Sequence, residues 1–170
     1  MEGNLAVLTI LVDRNKVKDR PLDVLIYASK HGYTEIADKS APLTLSVESK
    51  DIVAKARSAH IHDSFLVKWF RYREIHDNIY RMVITFECGR HLDLDSPKLD
   101  YCTRFKGFKD QILSAILELG FLRIEELVKI IHVGRQPLIE RFCSACRHQV
   151  NETEDKLKAA LAEVPLFSKM

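Results

Sequence analysis

The sequence predicts an all-α protein: an irregular helical bundle of about seven to eight helices, with one long amphipathic helix and one long irregular loop. Two observations support this prediction. The 170 residues include only 6 Gly and 5 Pro, too few turn residues for an all-β sandwich or barrel. Apolar residues also recur at helical spacing along much of the chain.

The first predicted helix, residues 5–12, is almost entirely apolar, with Thr9 as its one polar position. We interpret it as a core helix. Glu2 stands where a signal peptide carries positive charge, and the run is too short to span a bilayer. Nothing ahead of this helix in the chain covers it. We therefore expect that the chain is the C-terminal portion of a longer protein.

Shorter helices should follow. The basic residues 14–20 read as a solvated connection. Pro21 suits the first turn of a helix, and Gly32 suits the left-handed residue that ends it. Thr34 and Ser49 are candidate N-caps for the next two helices.

The long amphipathic helix is predicted over residues 62–87. Its inward positions step by 4, 3, 4, 3, 4 and 3 residues. These positions are Phe65, Trp69, Tyr72, His76, Ile79, Val83 and Phe86. We interpret His76 in this stripe as a hydrogen-bonded core residue.

Beyond the long helix the periodicity stops, and residues 88–106 are predicted to form the irregular loop. Helical spacing returns at residue 108 and continues towards the C-terminus. A last helix is expected to begin at the capping box of Asn151 and Glu154. The domain prediction is a helical subdomain over 1–60 followed by a bundle over 61–170 built on the long helix, or else a single domain.

Charge and cysteine content exclude several classes of protein. The 26 basic and 24 acidic residues leave a net charge of +2, without the excess typical of nucleic-acid or membrane-surface proteins. Four cysteines are too few for a disulfide-framed secreted domain of this length. We therefore predict an intracellular protein, cytoplasmic or nuclear, that does not bind a membrane.

The cysteines allow a zinc-site hypothesis. Cys143 and Cys146 are spaced C-x-x-C, and Cys88 and His91 are spaced C-x-x-H, so the two pairs together could supply four ligands. Buried structural cysteines are the favoured interpretation. Whether the four residues converge is left open by the sequence.

Two other groups have the composition of metal sites. His60, His62 and Asp63 partly match an element of binuclear metallohydrolases, but the later Asp and His positions are missing, and a helix-start role is favoured. His91, Asp93 and Asp95 alternate within the predicted loop and are more typical of turns. We assign no metal ligand, and no cofactor is predicted.

Basic and aromatic residues interleave over residues 101–109, as they do on single-strand nucleic-acid platforms. The segment comprises Tyr101, Arg104, Phe105, Lys106, Phe108 and Lys109. Residues 88–110 have a local balance of only +1, from five basic and four acidic residues, so a loop fixed by its aromatic residues is favoured. With Lys68 and Arg71, this stretch leaves weak nucleic-acid binding as a second alternative function.

Two segments of the sequence contain residues that begin and end helices in a characteristic order. Residues 21–45 combine a Pro-Leu-x-Val helix, a Gly-aromatic turn and an alanine-rich helix ending in Thr-Leu. The C-x-x-C of residues 143–146 precedes a charged helix and the Val-Pro-Leu-Phe of residues 164–167. This pattern resembles the helical region that follows the BTB/POZ domain in a large family of proteins from mushroom-forming fungi. The tryptophan that often follows the family's C-x-x-C is absent.

The resemblance implies a post-BTB helical bundle with no catalytic residues, since no segment matches the BTB fold itself. The sequence also lacks a nucleophile, base and orienting group together. We therefore expect a non-enzymatic protein–protein interaction module with an unidentified protein partner. A small zinc-stabilised structural module is the first alternative.

Overall fold

The computed structural model describes the backbone of residues 14–86, 91–93, 96–100, 103–119, 124–135 and 143–170, and the side chains of a narrower set. The predicted first helix at residues 5–12 lies outside these ranges. The fold is all-α, as predicted. The described helices are α1 (Arg14–Asp19), α2 (Pro21–His31), α3 (Thr34–Ser40), α4 (Ser49–Ser58), α5 (Asp63–Thr85), α6 (Thr103–Leu119), α7 (Ile124–Arg135) and α8 (Ser144–Glu163).

Short elements complete the described chain. Two 3₁₀ turns cover Ala41–Thr44 and Phe167–Lys169. Strands β1 (His91–Asp93) and β2 (Ser96–Asp100) form an antiparallel hairpin that pairs residue 91 with 100, 92 with 99 and 93 with 96. No helix in the described ranges is long and apolar enough to cross a lipid bilayer.

The chain divides into two compact units. Unit 1 consists of the chain up to Ile75 together with Pro165–Met170, and unit 2 consists of His76–Val164. The sequence suggested a boundary near residue 60, whereas the contacts place it inside α5. The first half of α5 therefore belongs to unit 1 and the second half to unit 2.

Trp69 lies at the centre of unit 1 and is fully buried, at 0% exposure. Its indole Nε1–H donates a 2.9 Å hydrogen bond to Thr44 Oγ1, whose hydroxyl donates to the Ala41 carbonyl at 2.7 Å. The Arg73 guanidinium lies 5.4 Å from the Trp69 ring and donates to the Val47 carbonyl at 3.0 Å. The chain after α3 is thus attached to the long helix.

The predicted stripe on the long helix is its buried face. All seven positions, from Phe65 to Phe86, are buried. Leu25, Leu45 and Ile52 of unit 1 are also buried. The 4-3 spacing thus predicted both the helix and the side of it that faces the core.

Unit 2 has its own aromatic and aliphatic core. Phe86 and Phe105 meet edge to face with ring centroids 5.2 Å apart. Phe108, Leu127 and Leu157 are completely buried. The core side chains come from α5, α6, α7 and α8, so each of these helices buries part of its surface within this unit.

Two predicted loop segments contain regular structure. Residues 14–19 form α1, because Lys and Arg favour helices even without an apolar stripe. The predicted irregular stretch 88–106 contains the β1–β2 hairpin and the first turn of α6. A three-residue strand and a five-residue strand containing Pro97 are too short to produce a clear alternation in the sequence.

Three predicted N-caps are wrong. Thr34 and Ser49 are the first residues of their helices, and the preceding Tyr33 and Glu48 occupy the cap positions without a side-chain cap bond. Asn151 lies inside α8, which starts seven residues earlier at Ser144. Glu154 is buried and does not act as a cap. Its Oε1 lies 2.6 Å from Lys158 Nζ and 3.3 Å from His132 Nδ1.

Replacing Gly32 with Ala tests the left-handed end of α2, where φ is +74°. We expect Gly32→Ala to lower the free energy of unfolding by about 1 kcal/mol, because a Cβ strains this conformation. Gly107→Ala is the control, since Gly107 is exposed within α6 and an added Cβ meets nothing within 4 Å. Gly107→Ala should raise the free energy of unfolding, measured in urea, by about 0.5–1 kcal/mol. Equal effects of the two variants would contradict the assignment.

His76 should make the stability depend on pH. Burial lowers the pKa of His76 from 6.5 to about 4, and the Asp77 carboxylate only partly opposes this shift. The unfolded chain binds the proton more tightly, so stability is complete above about pH 6.5 and falls as the pH drops towards 4. The loss should be on the order of 2–3 kcal/mol.

Unfolding measured between pH 4 and 7 tests this expectation. His76→Leu should flatten the pH profile in this window. The exposed His148→Gln should leave it as in the wild type. A wild-type slope retained in His76→Leu would show that another group titrates.

Candidate functional site

A solvent-open groove of about 750 Å³ lies in unit 1 and is named the basic groove. Its basic lining side chains are Lys30, His60, His62, Lys68 and Arg71, and none of the described side chains lining it is acidic. Apolar lining comes from Ala28, Ala37, Ile61, Phe65, Val67 and Phe167. The volume is within the range of about 300–1,000 Å³ that is usual for binding clefts.

Two helix C-termini border the groove, and both end in a left-handed residue. At the end of α2, the residue is Gly32, and the Tyr33 N–H donates back to the Ala28 carbonyl at 2.9 Å. At the end of α4, the residue is His60, with φ of +51°. The Ile61 N–H donates to the Ala56 carbonyl at 3.1 Å, the 6→1 bond of a Schellman motif.

Lys30 links the two helix ends, because its Nζ donates a 3.0 Å hydrogen bond to the Ala59 carbonyl. This bond joins the last turn of α2 to the cap of α4. It uses one of the three ammonium protons, and the negative end of the α4 dipole offsets part of the charge. The link thus holds a cation at the edge of the groove.

His60 occupies a backbone conformation that favours glycine. A non-glycine residue in the left-handed region costs on the order of 1 kcal/mol or more. The side chain is exposed, so burial does not compensate for this cost. Gly32 avoids the same cost at the equivalent position of α2. The backbone of His60 is therefore strained, and this residue lines the groove.

His62 caps the start of α5. Its Nδ1 accepts the Ser64 backbone N–H at 3.1 Å and lies 2.9 Å from Ser64 Oγ. A nitrogen that accepts a backbone N–H carries no proton, so the ring N–H is at Nε2. The predicted helix-start role of the 60–63 segment is confirmed, since α5 begins at Asp63.

The C-terminal segment forms one wall of the groove. Asp38 holds it with both carboxylate oxygens, accepting the Ser168 N–H at 2.6 Å and the Ser168 hydroxyl at 2.8 Å. Lys68 donates to the Ser168 carbonyl at 3.2 Å, and its Nζ lies 5.5 Å from the centre of the Phe167 ring. Phe167 packs edge to face on Phe65 and Tyr72.

The cations of the groove retain their charge. Lys30 and Lys68 donate to neutral carbonyls, and Arg71 is exposed on α5. In the described part of the chain, none of these three side chains forms an ion pair with a carboxylate. Their fields therefore add at one opening, where an anionic group would be attracted.

The zinc hypothesis is only partly within the described residues. Cys143 is the N-cap of α8, where its Sγ accepts the Cys146 N–H at 3.3 Å. Both cysteines are buried, which agrees with the structural interpretation. Cys88 and the side chain of His91 lie outside the described residues. The zinc alternative, which needs all four residues to converge, is therefore not tested by the described residues.

The other metal candidates are also partly outside these residues. The side chains of His91, Asp93 and Asp95 are not described. His60 and His62 line the same groove, because they lie in the turn before α5 and not within the helix. No group of three or more His, Cys, Asp or Glu side chains suited to a metal ion occurs where side chains are described.

The basic and aromatic stretch over 101–109 is mostly helical, contrary to the predicted loop. Phe105 and Phe108 are buried on α6, so neither ring can stack on a nucleic-acid base. Tyr101 lies outside the described residues. Lys106 is exposed on the same helix. Of the aromatic residues in this stretch, the two whose side chains are described are therefore not available for base stacking.

The groove itself was missed by the sequence reasoning. Lys68 and Arg71 were grouped with the 101–109 stretch, and Lys30 was not singled out. Their one sequence signal is local, because Lys68 and Arg71 are three residues apart and so lie on neighbouring positions of a helix. The approach of Lys30 and His60 to them depends on the tertiary fold.

Removing the Asp38 carboxylate should loosen the C-terminal wall of the groove. We expect Asp38→Ala to lower the free energy of unfolding by about 1–3 kcal/mol, because Ser168 loses two charge-assisted hydrogen bonds. Ser168→Ala should cost less, since it removes one of the two. Urea unfolding gives the energies, and hydrogen exchange at residues 165–170 gives the site of loosening. Exposed Asp155→Ala is the control, and equal exchange in both aspartate variants would argue against the tether.

No family model, curated protein or solved structure matches the chain. The function is therefore inferred from the basic groove, through its charge, its apolar surface and the strain at His60.

Proposed function

We propose that this protein is a non-enzymatic protein–protein interaction module whose partner docks in the basic groove of unit 1. The observation that carries the proposal is the combination of an open cleft with apolar lining and cationic side chains, without an acidic side chain among the described lining residues. An apolar centre with a polar rim is the usual anatomy of a protein interface. Val67 is part of this apolar lining, and 53% of its area is exposed.

Two features of the sequence support the same role. The helix punctuation resembles the region that follows the BTB domain in fungal proteins. In that family the BTB fold is the dimerisation and partner-docking module, and what the resemblance carries over to this chain is the helical bundle after it. The sparse cysteines favour a reducing environment, and we place the protein inside the cell, in the cytoplasm or nucleus. Both statements are part of the proposal.

The Ser–His pair in the groove is better explained as a cap than as a catalytic dyad. Ser64 Oγ lies 2.9 Å from His62 Nδ1, but the same nitrogen also accepts the Ser64 backbone N–H. A dyad needs a third group to orient the imidazole. The described residues place no carboxylate against His62. We therefore propose docking and not acyl transfer.

Site-specific photocrosslinking tests the docking proposal. A photoreactive benzoyl-phenylalanine is placed at Val67 in the full chain, which is then irradiated in native extract. Val133, 67% exposed on α7 in unit 2, is the matched control position. We expect a protein adduct at Val67 that excess untagged chain competes away and that is absent at Val133. Identical adducts at the two positions, or adducts to nucleic acid alone, would contradict protein docking in the groove.

A further inference from the structure

We infer that the basic groove recognises a short acidic peptide segment of the partner, in which carboxylates flank an aliphatic side chain. This inference rests on the proposed docking function and names the chemistry of the partner. The supporting observations are the charge of the groove, its apolar strip and the strained residue at its edge.

Charge complementarity identifies the ligand as anionic. Three cations line the groove, and none of the described side chains lining it is acidic. The whole chain carries only +2, so this concentration is local and not a property of the entire surface. A carboxylate entering the groove would meet the ammonium groups of Lys30 and Lys68 and the Arg71 guanidinium. The last of these can bind a carboxylate through two parallel hydrogen bonds.

The apolar strip calls for an aliphatic side chain between the carboxylates. Ile61 and Val67 line the groove, and Val67 is more than half exposed. Burying exposed aliphatic surface against another apolar group lowers the free energy, whereas contact with a bare anion does not. A ligand with only charge would leave this strip in water.

A peptide suits the groove better than a nucleic acid does. Single-stranded nucleic acids bind by stacking bases on exposed aromatic rings. The rings lining this groove belong to Phe65 and Phe167, and both are buried by edge-to-face contacts.

The strain at His60 indicates that its side chain has a use. Glycine would fit the left-handed end of α4 without cost, as Gly32 does at the end of α2. The imidazole adds a ring N–H donor at the edge of the groove that glycine lacks. We therefore assign His60 to the ligand contact, where strain is retained because the donor is needed.

Fluorescence anisotropy with the full chain tests the inference. The probe is a labelled peptide in which four glutamates flank two leucines. The comparison probes replace the glutamates with glutamines, replace the leucines with serines, or substitute a labelled oligouridylate. We expect the first peptide to bind and to weaken as salt rises, because rim ion pairs are screened. Each peptide replacement should weaken binding, the loss of charge by about tenfold or more.

Arg71→Glu should weaken binding of the acidic peptide by about tenfold or more. Arg81→Glu is the matched control, because it makes the same change in charge. Arg81 is exposed on the same helix, about 15 Å further along it. Arg81→Glu should change the Kd by less than about twofold. Equal losses from the two variants would show attraction to net charge alone and overturn the inference.

His60→Gly distinguishes a ligand-binding role of the His60 side chain from a purely structural one. Relief of the strain should raise the unfolding temperature by about 2–4 °C. Binding of the acidic peptide should weaken in the same variant. A more stable protein with unchanged binding would remove His60 from the ligand contact.

Failure of this inference can be told apart from failure of the docking proposal. Oligouridylate binding as tight as the acidic peptide, or no peptide binding up to about 1 mM, overturns the acidic-peptide assignment. If the Val67 adduct to a protein persists in either case, docking stands and only the chemistry of the partner is wrong. If that adduct is also absent, both proposals fail.

Discussion

The structure of unit 1 depends on the buried indole of Trp69 and its hydrogen bond to Thr44. A buried indole N–H without a partner would be costly, so the 2.9 Å bond fixes the 3₁₀ turn against α5. Truncating a buried tryptophan typically costs about 3–5 kcal/mol. That is a large part of the about 5–15 kcal/mol that stabilises a typical domain. Thr44 in turn bonds to Ala41, so the indole, the threonine hydroxyl and the turn form one satisfied network.

The basic groove is a consequence of how the helices of unit 1 end. Gly32 and His60 reverse the chain in the same left-handed conformation, and both line the groove. Lys30 fastens the first end to the second through the Ala59 carbonyl. The carbonyl that ends α4 therefore also holds one of the groove's cations, Lys30, in place. Binding chemistry and helix termination use the same few residues.

Local pattern was informative where one periodic signal covered many residues. The 4-3 spacing from Phe65 to Phe86 determined the long helix and its buried face, because helical geometry alone places such positions on one side. Pro21 and Gly32 likewise bounded α2 through their own backbone preferences. Caps and short strands were less predictable. Cys143, Tyr33 and Glu48 occupy cap positions but are weak cap residues by preference, so residue type does not mark these helix starts in the sequence.

The candidate site shows the same division. The sequence by itself determined the all-α class, the stripe of the long helix and the chemical character of Lys68, Arg71 and the histidines. Only the tertiary structure decided that Lys30, His60 and Lys68 line one groove, and that Phe105 and Phe108 are buried. The physical reason is that helix formation depends on neighbours three or four residues apart, whereas the groove joins side chains separated by tens of residues. Such side chains meet only when the core around Trp69 closes.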